Sequence, residues 1–411
     1  MHDHQHLKTA GDPSTWIPSF SQLIQLYFVI ITATAFLAAT LPFLRDSILS
    51  YGKLDYPSST TNTATATNAS PAQKKPLAAT PVADHGQFFV VLKTLRVPKT
   101  WFAHFYVFAT LWMVYLSLDL LVYTLSSTSS TSPVLQIVPS IFISTYPSWS
   151  FLTLLNLLGI MPSHPHSLSW TPPPALLLAM SCYLIQVVRR WYESWFVERP
   201  SPQATLHIGH YLIGITFYAA MAPAIWVDTY ESWVKSTVLQ NQTDQHEHQS
   251  QHAIEHENLF GSLPLQTWIG FALFLWGSLH QYRCHVILAN LRKPSSREAS
   301  AGVQRQQEYK VPFGDWFQYL VTPHYSAEMV IYLGLYLMVS SSLSLSTSPT
   351  VPTMLYSWVW VIVNLGIVAR ETDQWYRTRF GDNYAEPKET VTGQQRQPKT
   401  ARRAILIPFV Y

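Results

Sequence analysis

"VPFGDWFQYLVTPHYSAEMVIY", residues 311–332, runs into an apolar segment of membrane length and carries Asp315, His324 and Glu328 on the way in. Pro312 and Gly314 interrupt the chain just before Asp315, so a short interfacial or re-entrant element is expected there rather than a continuous helix. Irregular backbone and ionisable side chains persist at that depth only where protein buries them or where they line a cavity. His324 and Glu328 stand four residues apart, on one face of the helix that follows. They read either as a structural His–Glu pair or as part of a pocket.

The rest of the chain has the composition of a membrane protein. Of its 411 residues 48% are hydrophobic and only 12% charged, against roughly 25% charged in a soluble domain. Aromatic residues make up 14%, with 15 Trp and 22 Tyr, a supply that suits interfacial belts. A formal net charge of +3 is too small to point to nucleic acid. Cys182 and Cys284 both lie inside apolar runs and form neither a disulfide framework nor a metal site.

Seven segments are long and apolar enough to span a bilayer: 20–44, 101–127, 170–197, 206–227, 264–290, 327–347 and 350–370. The first reads as a signal anchor, being too long for a cleaved signal peptide. Residues 53–86 are rich in Ser, Thr, Ala and Pro and read as a disordered loop. Residues 228–263 read as a polar, His-rich loop without fixed metal-ligand spacing, and 386–403 as a further low-complexity insert.

Lys and Arg set the orientation. Arg292, Lys293, Arg297, Arg305 and Lys310 follow the 264–290 segment, whereas 228–263 carries only Lys235. That segment is therefore expected to run from lumen to cytosol. Counts from the two ends agree only if 134–161, broken by "TYPSW", does not cross. The expected fold is an all-α integral membrane protein. It has seven transmembrane helices and a Pro-broken, membrane-dipping lumenal hairpin at 134–161, with a lumenal N-terminus and a cytosolic C-terminus. Residues 1–95 form an anchor-and-loop region and 96–411 the main membrane domain.

Ionisable groups inside the spans are functional candidates by default. Gln281, His285 and Arg292 fall on one helical face at a cytosolic end, with an amide, an imidazole and a guanidinium that suit an anionic ligand such as a nucleotide diphosphate. Snorkelling accounts for Arg292 but not for the deeper Gln281 and His285. Asn364, Glu371, Gln374 and Tyr376 gather at the cytosolic end of the last span. In the N-terminal half, "VPKTWFAHFYVFATLW" (97–112) supplies His104 and Tyr106, and "YLIQVVRRWYESWFVERP" (183–200) supplies Gln186, Arg190 and Glu193. His104 also reads as a core histidine. Two residues apart on a helix, His104 and Tyr106 point about 200° from each other, so one is expected to give a proton to a substrate oxygen while the other packs. Tyr106 is the first choice, because a phenol keeps its proton at cytosolic pH, with Glu193 orienting it.

The C-terminal half resembles the steroid 5α-reductase family through "NLRKP" (290–294), "YKVPFGDWF" (309–317), "PHYSAE" (323–328), "WYRTRF" (375–380) and "RRAILIPFVY" (402–411). Within that family the chain is most similar to the polyprenol (polyprenal) reductase branch, through "PKTWFAHFYVFATLW" (98–112), "HIGHYLIGITFY" (207–218) and "QYRCHVILANLR" (281–292). The resemblance covers roughly residues 95–411 apart from the inserts. It implies a seven-helix reductase of the endoplasmic reticulum membrane that uses NADPH to saturate the α-isoprene unit of a long polyprenyl lipid, making dolichol for protein N-glycosylation, with no metal. It implies a cofactor set of Gln281, His285, Arg292, Tyr309, Lys310, His324, Tyr325, Glu328 and Tyr376. The steroid branch has a Gln/Glu pair where this chain has His104 and Phe105, so that acid does not carry over. Asp373 stands where this branch has a His, and the 386–403 insert splits the closing motif. Competing readings are a sterol or enoyl reductase, an isoprenylcysteine-type membrane methyltransferase and a non-enzymatic scaffold. The basic set Arg292, Lys293 and Lys310 favours a phosphorylated dinucleotide over S-adenosylmethionine.

Overall fold

The structure is a computed structural model that describes residues 18–42, 44–45, 94–127, 150–161, 170–201, 204–243, 263–292, 310–343, 352–381, 384 and 403–406. It is a helical bundle. Its elements in chain order are α1 (Phe20–Thr40), β1 (Arg96–Pro98), α2 (Phe102–Ser127), α3 (Phe151–Leu157), α4 (Pro174–Tyr192), β2 (Thr205–His207), α5 (Ile208–Ala224), α6 (Val227–Thr243), α7 (Leu265–Asn290), α8 (Pro323–Leu343) and α9 (Thr353–Phe380). The strands β1 and β2 form a small antiparallel ribbon at the mouth of α2 and α5, pairing Arg96 with His207 and Pro98 with Thr205.

Among the described residues four helical stretches are long and apolar enough to cross a membrane: Phe20–Thr40, Lys99–Thr124, Ile208–Thr237 and Thr353–Phe380. They make this a multi-pass membrane protein. Length and composition alone thus support four of the seven expected spans. The 134–161 hairpin lies outside the described residues except for 150–161, where the short α3 forms behind its Ser150 cap. Leu26, Ile30 and Leu37 on α1, Leu111 and Leu118 on α2, and Trp268 and Leu275 on α7 are exposed, as on a lipid-facing surface. Met113, Leu176, Ala179, Met221, Leu335, Met338 and Met354 fill the interior between the helices.

Helices α7 and α8 make the closest approach. A Cβ added to Gly270 would lie 2.6 Å from the Gly334 carbonyl oxygen, and one added to Gly277 would lie 2.9 Å from that of Ala327. Gly270 and Gly277 are two turns apart on one face, so the backbones touch along a seam that a larger residue would wedge open. Where the seam ends, Thr267 and Ser341 share a 2.7 Å hydrogen bond and Gln266 donates to Ser340.

The expected loop at 228–263 is corrected at its start, where α6 is helical from Val227 to Thr243. Its acidic residues are not solvated. Asp228 accepts from the Thr353 backbone N–H at 2.6 Å and from its hydroxyl at 2.7 Å, at the start of α9. Glu231 accepts from the Ser21 backbone N–H at 3.0 Å and from its hydroxyl at 2.7 Å, in the first turn of α1. Each carboxylate satisfies an orphan N–H and meets the positive end of a helix dipole.

The 311–332 stretch is pinned from two sides. Gly314 (φ 98°) and Asp315 (φ 45°) turn the chain into a single 3-10 turn, Asp315–Gln318. Asp315 does not reach the bundle interior. Its Oδ1 lies 2.7 Å from His280 Nδ1, and the Trp316 ring stacks on His280. On the other side the C-terminal segment pairs with it through an isolated parallel bridge, with Val321 N–H donating to the Ala404 carbonyl and Ala404 N–H to that of Tyr319, both at 2.9 Å. Arg403 closes the contact with a 3.0 Å bond to the Pro312 carbonyl, its guanidinium over the Phe313 ring.

Replacing Gly270 by Leu is expected to force α7 and α8 apart and to destabilise the protein by about 1–3 kcal/mol or more, as overpacking does. A thermal melt of the detergent-solubilised protein reads this as a lowered Tm. An unchanged Tm would show that the seam is not under close packing.

Candidate active site

A cavity of about 940 Å³ opens inside the bundle, walled by α1, α2, α4, α5, α7, α8 and α9, within the size range of small-molecule sites. Its polar side is organised by Arg190, near the C-terminal end of α4. Arg190 Nη2 donates to the Tyr106 phenol oxygen and to Glu198 Oε1, both at 2.9 Å. Its Nη1 contacts Glu193 and lies 2.7 Å from His285 Nδ1. His285 Nδ1 also lies 2.6 Å from Glu193 Oε2, so this nitrogen either donates to the carboxylate or accepts from the guanidinium.

Glu193 has no exposed side-chain surface, and Arg189 and Arg190 both pair with it. It opens a π-helical turn, Glu193–Val197, whose wider winding carries the chain around to Glu198. Burial alone would push the Glu198 carboxyl up, but the Arg190 guanidinium beside it and nearby His285 hold it below the usual carboxylate range. The side-chain chain continues inward. Arg189 donates to Gln186 Oε1 at 2.8 Å and to Gln281, Gln186 Nε2 donates to Gln281 Oε1 at 3.0 Å, and Gln281 Nε2 donates to Glu328. Tyr106 and Glu328, on opposite walls, are thus joined by one polar network.

The rim of the cavity is basic, with Lys99, Arg199 and Arg292 all lining it. Arg292 Nη1 donates to the Arg199 backbone carbonyl at 2.7 Å. The other walls are apolar, with Ala35 and Ala38 from α1, Ile213 and Phe217 from α5, and Trp360, Val361 and Leu365 from α9.

Of the sequence-derived site residues, His104, Tyr106, Gln281, His285, Arg292, His324, Tyr325 and Glu328 line this one cavity. Tyr106 is buried, whereas His104 stands at the edge, its Nδ1 3.2 Å from the Tyr211 hydroxyl. Glu193 sits behind the wall and reaches Tyr106 only through Arg190. Of the two readings of His324 and Glu328, the structure shows the pocket rather than the pair, since both line the cavity and they do not bond to each other. Glu328 accepts from Gln281, and the buried His324 Nδ1 has no partner.

Lys310 and Tyr376 are not among the lining residues. Lys310 is exposed ahead of the Gly314 turn, and Tyr376 stacks at 14° on Tyr384, whose hydroxyl donates to Asp373 at 2.5 Å. Tyr309 lies outside the described residues. Phe105, where the steroid branch has its acid, packs onto Gly214 so tightly that an added Cβ would lie 2.6 Å from the ring.

Lys99, Arg189 and Glu198 are not among the sequence-derived candidates, and Arg190 is one of them, grouped with Gln186 and Glu193 but not as the centre of the network. The available signal was the "RRWYE" spacing, which puts both arginines within a turn of Glu193.

The donor set fits a nicotinamide dinucleotide. Three cations on the rim suit phosphate groups, and the unpartnered His324 Nδ1 deeper in the wall offers a hydrogen-bonding group to a ligand. Glu193, Glu198 and His285 also bring ligand atoms within 4.8 Å of one another, a spacing a divalent cation could use. Here the Arg190 guanidinium bonds to all three and supplies the positive charge.

The chain is similar in sequence to several known proteins. Residues 221–411 match the family described as 3-oxo-5-alpha-steroid 4-dehydrogenase. The chain is 30% identical over 322 residues to polyprenal reductase 2 of Arabidopsis thaliana, covering 77% of this chain and 82% of that protein. It is 34% identical over 221 residues to polyprenal reductase 1 of the same plant (53% of this chain, 62% of that one). It is 30% identical over 261 residues to the polyprenal reductase of Mus musculus (60% and 65%).

Glu193→Gln keeps the shape but removes the charge between the buried Arg190 and the half-buried Arg189. The expected cost is about 3–5 kcal/mol of stability, as for a broken buried ion pair, read as a lower Tm in detergent. A Tm equal to that of the unaltered protein would mean that water, not Glu193, satisfies the arginines.

Proposed function

Because the chain belongs to the steroid 5α-reductase family, in its polyprenol (polyprenal) reductase branch, and is an oxidoreductase acting on CH–CH groups, we propose that it reduces the α-isoprene double bond of a polyprenal with NADPH. The product would feed dolichol synthesis for protein N-glycosylation. The family resemblance supports an endoplasmic reticulum membrane location, and the Lys/Arg asymmetry of the loops supports seven spans with the N-terminus lumenal and the C-terminus cytosolic.

The observation that carries this reading is one cavity that joins three kinds of wall. The basic rim of Lys99, Arg199 and Arg292 suits the dinucleotide phosphates. The Tyr106–Arg190 pair supplies a proton donor held against a fixed cation. The apolar faces of α1, α5 and α9 suit isoprene units, whose chain is too long for the bundle and must leave it laterally into the bilayer.

When bound, NADPH supplies the hydride, which adds to C3 of the enal. The chain's own groups do the rest. The walls hold the reacting carbon in place and exclude water. Tyr106 donates to the carbonyl oxygen as negative charge grows there, and His324, Gln281 and Glu328 complete the polar wall. His104 packs at the edge against Tyr211 and is not the donor in this reading. Arg190 supplies positive charge beside the Tyr106 oxygen.

Incubating the purified protein with NADPH and either polyprenal or polyprenol, then reading the lipid by mass spectrometry, tests the substrate. A gain of two mass units from the aldehyde is expected. Turnover of a sterol enone and not of polyprenal would move the substrate to the steroid branch.

Two substitutions separate the roles. Arg292→Ala is expected to weaken NADPH by about 10- to 100-fold, the loss of a charge-assisted phosphate contact, which a fluorescence titration measures. Tyr106→Phe is expected to leave that affinity alone and lower kcat by roughly 10²–10³-fold. Full turnover in Tyr106→Phe with none in His104→Ala would exchange the two roles.

A further inference from the structure

We propose that Arg190 is the positioning residue of the proton donor. It turns the Tyr106 phenol so that its proton points into the cavity, and it holds the phenolate once that proton has left. The inference rests on Tyr106 being the donor, as read above.

The direction of one hydrogen bond carries the argument. A guanidinium has donors only, so in the 2.9 Å contact between Arg190 Nη2 and the Tyr106 oxygen the phenol must accept. The phenol's own O–H cannot then point at Arg190. Tyr106 lines the cavity, so its O–H is left for a group bound there. The guanidinium carbon also lies 4.8 Å from the Tyr106 ring centroid, which puts a fixed positive charge beside the oxygen that becomes negative. Arginine stays protonated throughout, so this charge does not vary with pH.

Arg190 is itself immobilised. Glu193 and His285 hold its Nη1, Glu198 shares Nη2 with the phenol, and only 8% of the residue is exposed. A group fixed in this way fixes its partner. Glu193, which sequence reasoning paired with the donor directly, acts one step further out.

A hydride from the reduced nicotinamide forms the new C3–H bond, and the C2=C3 electron pair shifts through C1 to leave an enolate oxygen. The Tyr106 O–H bond breaks, its proton joins that oxygen, and its electron pair stays on the phenol oxygen beside Arg190. The enol tautomerises to the saturated aldehyde, and the phenolate takes a proton from water at the open rim.

A double-mutant cycle on the full-length protein tests this, with kcat and KM for polyprenal and NADPH affinity measured for each variant. Arg190→Gln is expected to lower kcat by about 10- to 100-fold in the otherwise unaltered protein. In a Tyr106→Phe background it is expected to lower kcat by no more than about twofold, because the group it acts through is gone. Arg190→Lys, which keeps a charge and a donor, is expected to recover part of the loss. The proposal is overturned if the two losses multiply, or if Arg190→Gln weakens NADPH as much as it lowers kcat. Should Arg190→Gln not fold, the same cycle with Arg190→Lys decides between coupled and independent losses. A fully active Tyr106→Phe single variant would instead refute the donor assignment itself, whatever Arg190 does.

Discussion

Glu193 is a carboxylate without exposed surface, set between two arginines of its own helical turn. In a low-dielectric interior an unpaired charge of this kind costs several kcal/mol, and the pairing offsets it only when every remaining lone pair and proton is satisfied. That requirement fixes much of the site. The second Glu193 oxygen engages His285 on α7, which ties the end of α4 to the middle of the bundle. The remaining Arg190 donors go to Glu198 and Tyr106, which draws in the π-helical turn and the start of α2. The Arg189 donors go to Gln186 and Gln281. Three helices are registered against one another by the need to neutralise two arginines.

The result is a cavity with a graded character. Its rim is cationic, its middle holds the neutralised network, and its far walls carry carbon. A ligand with a charged end and an apolar end can be held in only one orientation in such a space. The charges are also spent on one another in the middle. The network lines the cavity with Arg190, Glu198, Gln281 and His285 as well as with Tyr106 and Glu328, each already hydrogen-bonded within it.

The membrane-length apolar runs made the main helices legible in the sequence, and buried amide and imidazole groups four residues apart made Gln281 and His285 legible as a site. Other parts could not be read this way, for identifiable reasons. Asp228 and Glu231 look like the start of a solvated loop because the N–H groups they cap belong to helices more than a hundred residues away. Arg190 is legible as a polar candidate at a helix end but not as the hub of the network, because its partners come from α2 and α7 as well as from its own turn. The motif positions Lys310 and Tyr376 were legible as family residues, yet motif membership does not say which way a side chain faces. Tyr376 stacks on Tyr384 and is not among the residues that line the cavity.

The glycine seam connects the fold to this network. Gly277 meets the carbonyl of Ala327, the residue before Glu328, and Gln281 lies one turn beyond Gly277 on the same face. The distance at which α7 rests on α8 is therefore also the distance that lets Gln281 reach Glu328. A side chain at position 277 would move that pair apart, and Gln281 would lose the acceptor that orients its amide. Its carbonyl would then no longer be presented to Arg189 and Gln186, and the second arginine would lose part of its neutralisation. Small residues at the helix seam are thus a condition for the electrostatics of the site, because a charge network with no water to fall back on tolerates little change in spacing.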